Sequence, residues 1–82
     1  MPRFFFHLEA GGSRLVDEDG VDRPDLRTAV SDALRQARDL LGHEVRDEGV
    51  LDLTRSIVIA DEDGHVHHLL QLADAVIIRP SR

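Results

Sequence analysis

The apolar residues between Asp25 and about Asp47 recur every three or four positions, which is the spacing of one face of an α-helix. Pro24 has no backbone N–H to donate, and the Asp25 side chain can accept hydrogen bonds from the free amides of a first helical turn. The pattern predicts an amphipathic helix about 33 Å long that ends near Gly49 in a left-handed cap. Its apolar positions are Leu26, Ala29, Val30, Ala33, Leu34, Ala37, Leu40, Leu41 and Val45.

Alternating apolar and polar residues on both sides of the helix indicate short β-strands. The segment Ser56 to Ala60 is apolar on both faces, so we expect it in the centre of a sheet. Glycines at positions 11 and 12 predict a hairpin turn after the first strand. The predicted strands cover residues 3–9, 14–17, 56–60 and 65–72. On the first strand, the residues that share one apolar face are Phe4, Phe6 and Leu8.

The last predicted strand alternates with the same period of two. One of its faces carries Val66, His68, Leu70 and Leu72, and the other carries His65, His67, Leu69 and Gln71. Two further segments are less regular. Residues 49–55 alternate as an edge strand would, and residues 76–78 either add an edge strand or pack as a tail.

These elements follow one another as hairpin, helix and hairpin. They predict a single α+β domain over residues 1–82, in which an antiparallel sheet of about four strands packs one face against the long helix, in a ββαββ arrangement. The other face would remain uncovered and would carry Phe5, His67 and Leu69. A short chain with three Phe, no Trp and no Tyr builds a small core, so we expect this face to be the interface of a homodimer.

The polar side of the helix is divided by charge. Positions about 100° apart around the axis place four arginines on one flank, away from Asp32, Asp39 and His43. These arginines are Arg27, Arg35, Arg38 and Arg46. Two interpretations are open: the guanidinium heads sit in water or pair with nearby carboxylates, or the flank docks an acidic partner surface or phosphates.

Composition narrows the possible functions. Sixteen acidic residues against ten basic ones give a formal net charge of −6, which disfavours general nucleic-acid binding. The chain has no cysteine, so disulfides, thiolate metal sites and cysteine nucleophiles are excluded. The apolar opening is too short for a signal sequence, and no later run approaches a membrane span. We therefore expect a cytoplasmic protein without a membrane partner.

The sequence Asp-Glu-Asp-Gly occurs twice, at residues 17–20 and 61–64. Neither copy fits an EF-hand calcium loop, because apolar residues occupy its first and last ligand positions. We interpret both as exposed turns. No serine lies in a nucleophile elbow, and no glycine pattern cradles a phosphate. We therefore expect neither enzyme activity nor a cofactor.

Histidine supplies the alternative of a metal site. His7, His65 and His67 could offer three nitrogens to zinc or nickel if the first strand neighbours the last hairpin. The sequence specifies no acidic groups to orient these rings. We therefore expect no metal and keep this set as an alternative.

The opening Met-Pro-Arg-Phe-Phe-Phe-His, the two acidic turns, and Pro-Asp-Leu before an Ala- and Arg-rich helix together resemble a family of short, uncharacterised bacterial proteins that begin M-P-R-[FY]-[FY]-F. That family is a domain of unknown function, so the resemblance supports the fold boundaries and implies no activity. Residues 4–41 show a weaker similarity to HicB-type antitoxins. In those proteins a further strand follows Pro-Asp-Leu, whereas here Pro24 opens the helix directly.

Together these features suggest a non-catalytic protein-interaction or regulatory module. In this hypothesis the chain forms a homodimer through its uncovered sheet face, and the arginine flank contacts another protein. One alternative is an antitoxin-like regulator whose acidic turns neutralise a basic partner. The other is a histidine-based metal-binding protein.

Overall fold

The long helix predicted from the apolar spacing is confirmed. In the computed structural model, which describes residues 1–81, helix α1 spans Leu26–Glu48. The Asp25 side chain caps its start by accepting a 2.8 Å hydrogen bond from the backbone amide of Thr28. Gly49 ends it with a φ of 67°, a conformation that residues with a Cβ rarely adopt. Among residues 1–81 no helix combines the length and the apolar character needed to cross a membrane.

The strands form an antiparallel sheet. They are β1 (Arg3–Ala10), β2 (Ser13–Leu15), β3 (Val21–Asp22), β4 (Ser56–Ala60) and β5 (Val66–Gln71). Neighbouring strands follow the order β2-β1-β4-β5, and β3 pairs with the first residues of β1. The α+β class and the approximate ββαββ order are confirmed, with β4 inside the sheet. Strand β3 was not predicted, because two residues are too few to show an alternating pattern.

The two less regular segments do not form strands. Residues 49–55 are irregular, with Leu53 packed against the core and Leu51 exposed. A short 3-10 helix spans Leu72–Ala75. Beyond it Ile77 and Ile78 are exposed, so residues 76–78 form a tail, which was one of the two alternatives.

The core lies between α1 and the inner face of the sheet, meaning the face toward the helix. On the helix, Ala29, Ala33 and Ala37 are fully buried and Leu41 nearly so. Because alanine is small, the helix backbone can pack directly over β4 and β5. Val45 was predicted in the apolar stripe but is 48% exposed, so the buried stripe ends at Leu41. The sheet and its 3-10 extension contribute Phe4, Ile57, Ile59, Leu70, Leu72 and Ala75.

A β-bulge interrupts the pairing of β4 with β5. Ile59 lies opposite His68, whereas Ala60 lies opposite Val66. His67 is therefore an extra residue on β5, and every residue before it changes face relative to a strict period of two.

The bulge corrects two predicted positions. Val66 lies opposite Ala60 and therefore belongs to the outer face, which points away from α1. His67 leaves that face: its ring lies edge-on to Phe4 of the inner face, with 6.2 Å between ring centroids. Alternation alone could not reveal an inserted residue, so the predicted grouping of His67 with Leu69 is wrong.

The outer face consists of three rows of directly opposed residues. We name each row by its β1 residue, and the three rows are Phe5-Ala60-Val66, His7-Val58-Leu69 and Glu9-Ser56-Gln71, with Arg14 of β2 also opposite Glu9. The central β4 residues of the first two rows, Ala60 and Val58, are each only 2% exposed. At the β5 edge, however, Val66 is 57% and Leu69 52% exposed.

A largely buried ion pair joins the helix to the start of β4. The Arg55 side chain is 10% exposed, and its guanidinium donates to both carboxylate oxygens of Glu44 and to the backbone carbonyl of Asp52. The bonds with Glu44 raise the pKa of Arg55 and lower the pKa of Glu44. This contact holds the irregular segment after α1 in place as it rejoins the sheet.

The asymmetry between the two sheet faces predicts different effects of the same substitution. Leu72→Ala should lower the free energy of unfolding by about 2–5 kcal/mol, because it opens a cavity in the core. Leu69→Ala should cost about 1 kcal/mol or less, because half of that side chain is already in water. Urea unfolding followed by circular dichroism at low protein concentration measures both. Equal losses would mean that the outer face is as well covered as the inner face.

Candidate functional site

The four arginines of the predicted helix flank are all exposed, and three of them bond within the chain. Arg35 donates to the carboxylate of Asp32. Arg38 Nε donates to the carbonyl of Ala75 at 2.8 Å, and Arg46 Nε donates to Asp47 at 3.3 Å. These contacts agree with arginine heads that pair with acceptors of their own chain. Docking of the flank, including Arg27, to an acidic partner stays a prediction.

Of the three residues predicted for an interface, Phe5 and Leu69 share the outer face and His67 does not. The Phe5 ring stacks on the ring of His7, with centroids 6.3 Å apart and planes inclined by 12°. The two rings therefore lie side by side with nearly parallel planes on the outer face.

The three histidines considered as metal ligands are not brought together. His7 Nδ1 accepts a 3.1 Å hydrogen bond from the backbone amide of Asp17, while His67 Nε2 donates to Asp61 at 2.8 Å. Among residues 1–81, the donor atoms that lie within 4.8 Å of one another belong to Asp61, Asp63 and His65. His7 and His67 are thus each held by a different acidic turn.

The turn between β2 and β3 is organised by Asp17. Its Oδ1 accepts hydrogen bonds from the backbone amides of Asp19 and Gly20, both at 3.2 Å, and its Oδ2 accepts from the Phe6 amide at 3.1 Å. Burial alone would raise the pKa of Asp17, but these three bonds outweigh it and lower the pKa below its ordinary value. Asp17 thus supplies β1 with an acceptor where neither β2 nor β3 pairs with it.

The turn between β4 and β5 repeats this chemistry around Asp61. Its Oδ1 accepts from the backbone amides of Asp63 at 2.9 Å and His65 at 3.0 Å, and its Oδ2 accepts from His67. The hydrogen bond from His67 is the main cause that lowers the pKa of Asp61. The interpretation of both sequences as turns is supported, with the first Asp of each as the organising residue.

The two acidic turns meet at the same end of the sheet and border a groove of about 350 Å³. We call it the acidic groove. Phe5, His7 and Val16 supply its apolar surface, and four of its lining residues carry carboxylates. The full lining is Phe5, His7, Val16, Asp17, Glu18, Asp61, Glu62 and Gly64.

Arg3 links the two turns at the end of the groove. Its Nη1 donates to the backbone carbonyl of Asp19 at 2.8 Å. Its Nε lies 3.1 Å from the carboxylate of Asp22 and 3.9 Å from that of Glu62. Arg3 therefore offsets part of the negative charge, while Glu18 is an exposed residue of the groove lining.

This end of the sheet lies within a region shared with other proteins. Comparison with known families matches residues 3–73 to a domain of unknown function, DUF6894. The chain belongs to the DUF6894 family. No curated protein and no solved structure matches the sequence. The region matched to DUF6894 includes α1, the strands β1 to β5 and both acidic turns, and it ends before the exposed tail.

Sequence reasoning recognised each acidic turn of this DUF6894 chain but did not bring them together. The repeated Asp-Glu-Asp-Gly was the available signal. Pairing β1 with β4 in antiparallel register places Phe5 opposite Ala60, the residue before Asp61. A predicted β1–β4 pair together with its register would therefore have placed the second turn beside Phe5.

Close packing of Phe5 on the first turn makes Gly20 difficult to replace. Gly20 has a φ of 68°, and a Cβ added there would lie 2.7 Å from the Phe5 ring. Gly20→Ala should destabilise the fold by about 2–4 kcal/mol, through left-handed strain and overpacking. Gly12→Ala is the control, because its φ is 86° and nothing lies within 4 Å of the added Cβ; it should cost about 1–2 kcal/mol. Equal losses in urea unfolding would contradict the Phe5 contact.

The bonds of Asp17 also predict a pH dependence. Asp17→Asn replaces one of the two accepting oxygens with an NH2 group that meets a backbone N–H, so it should cost about 1–2 kcal/mol at pH 7. Because the folded-state pKa of Asp17 is lowered, the stabilisation exists above the unfolded pKa of about 3.9 and is lost as pH falls through the folded value. The difference between wild type and variant should therefore shrink below about pH 4. Urea unfolding at pH 7 and at about pH 3 measures this difference. Asp19→Asn, at an exposed position on the same turn, is the control and should cost no more than about 0.5 kcal/mol at pH 7.

Proposed function

We propose that this DUF6894 chain is a non-catalytic protein-interaction module that forms a homodimer through the outer face of its sheet. The observation that carries the proposal is the exposure of Val66 and Leu69, at 57% and 52%, on the face that α1 does not cover. Grouped apolar side chains on a sheet are stabilised when a second layer covers them. Another copy of the chain offers a layer of matching chemistry.

The size of the outer face suits a reversible dimer. The four neighbouring strands β2, β1, β4 and β5 lie about 4.8 Å apart, so together they are about 19 Å wide. The longer strands, of five to eight residues, are about 16–26 Å long. A second copy stacked on the face would cover roughly 400 Å² of projected area on each chain, which is below the about 500 Å² per partner expected of a stable specific interface and in the range of weak, transient ones. We therefore expect a dimer that dissociates on dilution.

The hydrogen bonds at the acidic turns support a non-catalytic role. A general acid or base that works near neutral pH needs a carboxyl group whose pKa is raised toward that pH. The pKa values of Asp17 and Asp61 are instead lowered, and both oxygens of each carboxylate accept hydrogen bonds. These groups hold the turns in place and are poorly suited to exchange protons.

A charge placed on the outer face should separate the dimer. Leu69→Asp brings two carboxylates into the interface, one from each copy, and should raise the dimer dissociation constant at least about tenfold. Leu51→Asp makes the same change at a leucine of similar exposure, 47%, outside the sheet, and should change that constant by no more than about twofold. Light scattering over a dilution series gives both values.

Circular dichroism of both variants should match wild type, since neither leucine is buried. A chelator should leave the wild-type mass unchanged. A wild-type chain that stays monomeric at all concentrations, or equal effects of the two substitutions, would overturn the proposed dimer.

A further inference from the structure

The two ends of the outer face differ in charge. The Phe5 row borders the acidic groove, with its four carboxylate residues. At the opposite end the Glu9 row carries Arg14, whose Nε donates to the Glu9 carboxylate at 2.8 Å. The Arg14 side chain is 43% exposed, so this end offers an accessible cation and the other end an excess of anions.

This difference selects one way of stacking two copies face to face. If the two-fold axis ran parallel to the strands, the acidic grooves would lie over each other, and their carboxylates would repel. An axis between the sheets and perpendicular to the strands reverses the strand direction of one copy. The grooves then lie at opposite ends, and the Phe5 row of each copy faces the Glu9 row of the other.

The same operation brings Arg14 over the groove. Each strand of one copy then lies over the same strand of the other, with its direction reversed. The far end of β2, which carries Arg14, faces the turn that follows β2, which carries Glu18. The His7 row lies at the axis, so Leu69 of one copy meets Leu69 of the other.

We propose that, in the dimer, Arg14 of each copy enters the acidic groove of the other copy. This inference rests on the proposed outer-face dimer and adds to it the orientation of the two copies and the polar contact that selects this orientation. The chain itself thus carries a positive group that can pair with the acidic groove, namely the exposed guanidinium of Arg14 on the same face.

The chemistry of the groove suits a guanidinium group. Its planar fork has five N–H donors, so Arg14 can keep its bond to Glu9 while it donates to Glu18 of the other copy. The aromatic rings of Phe5 and His7 line the groove, and aromatic rings are groups on which a guanidinium packs favourably. Facing sheets lie about 10 Å apart, a gap that an arginine and an opposing carboxylate side chain span together.

A matched pair of substitutions separates this contact from the ion pair within the chain. Arg14→Gln and Glu9→Gln both remove the Arg14–Glu9 pair, but only Arg14→Gln removes the cation that enters the other groove. Because the contact occurs twice in a two-fold dimer, Arg14→Gln should raise the dissociation constant about tenfold. Glu9→Gln should leave it unchanged or lower it. Sedimentation equilibrium measures both.

The lack of native cysteine allows a direct test of proximity. Chains with Arg14→Cys, mixed with chains with Glu18→Cys and oxidised mildly, should form the mixed disulfide in preference to either self-pair. Arg14→Cys mixed with Asp39→Cys is the control, because Asp39 lies on α1 on the other side of the sheet. That control mixture should not cross-link above background.

The outcomes distinguish this inference from the proposed function. Equal dissociation constants for Arg14→Gln and Glu9→Gln, or cross-linking of Arg14→Cys mainly with itself, would overturn the groove contact. The outer-face dimer would still stand if Leu69→Asp dissociates it. A dimer that resists Leu69→Asp would overturn the proposed function and this inference together.

Discussion

The packing of one helix against one face of the sheet is the constraint on which the rest of this structure depends. Ala29, Ala33 and Ala37 bring α1 down onto β4 and β5, where Ile57 and Ile59 complete the contact. A helix buries one side of a sheet, and this chain provides no second long helix among residues 1–81. The outer face must therefore be stabilised by its own side chains or by another molecule, and this requirement leads to the proposed dimer.

The carboxylates of Asp17 and Asp61 stabilise the two turns at the end of the sheet that borders the acidic groove. Asp17 and Asp61 each accept three hydrogen bonds within their own half of the domain, so the backbone amides there are satisfied without further strand pairing. Of the remaining acidic residues, Glu18 and Glu62 are exposed and line the acidic groove. Negative charge is concentrated at this end because both turns are built from acidic residues. The two ends of the outer face therefore differ in charge.

The difference in charge between the two ends of the outer face also changes which arginine is the best candidate for a contact with another molecule. The sequence pattern suggested the helix flank as a docking surface, because four arginines lie together there. In the structure, however, Arg35, Arg38 and Arg46 bond to acceptors of their own chain. Arg14 lay in a short strand with no pattern of its own, and it became relevant only as part of the outer face. An exposed arginine suggests a binding contact when it lies on the same surface as a group of unpaired carboxylates. The spacing of arginines along one helix does not show whether such a group is nearby.

The sequence by itself determined the elements whose signals are local. Asp25 and Gly49 set the ends of α1, the three-four spacing set its buried face as far as Leu41, and each Asp-Glu-Asp-Gly produced a turn, because caps, helix periodicity and turns depend on residues within a few positions. Tertiary structure alone decided the bulge at His67, the Arg55–Glu44 ion pair and the meeting of the two turns. Each of these depends on which strand pairs with which and in what register, and contacts between distant segments leave no mark in the spacing of neighbouring residues.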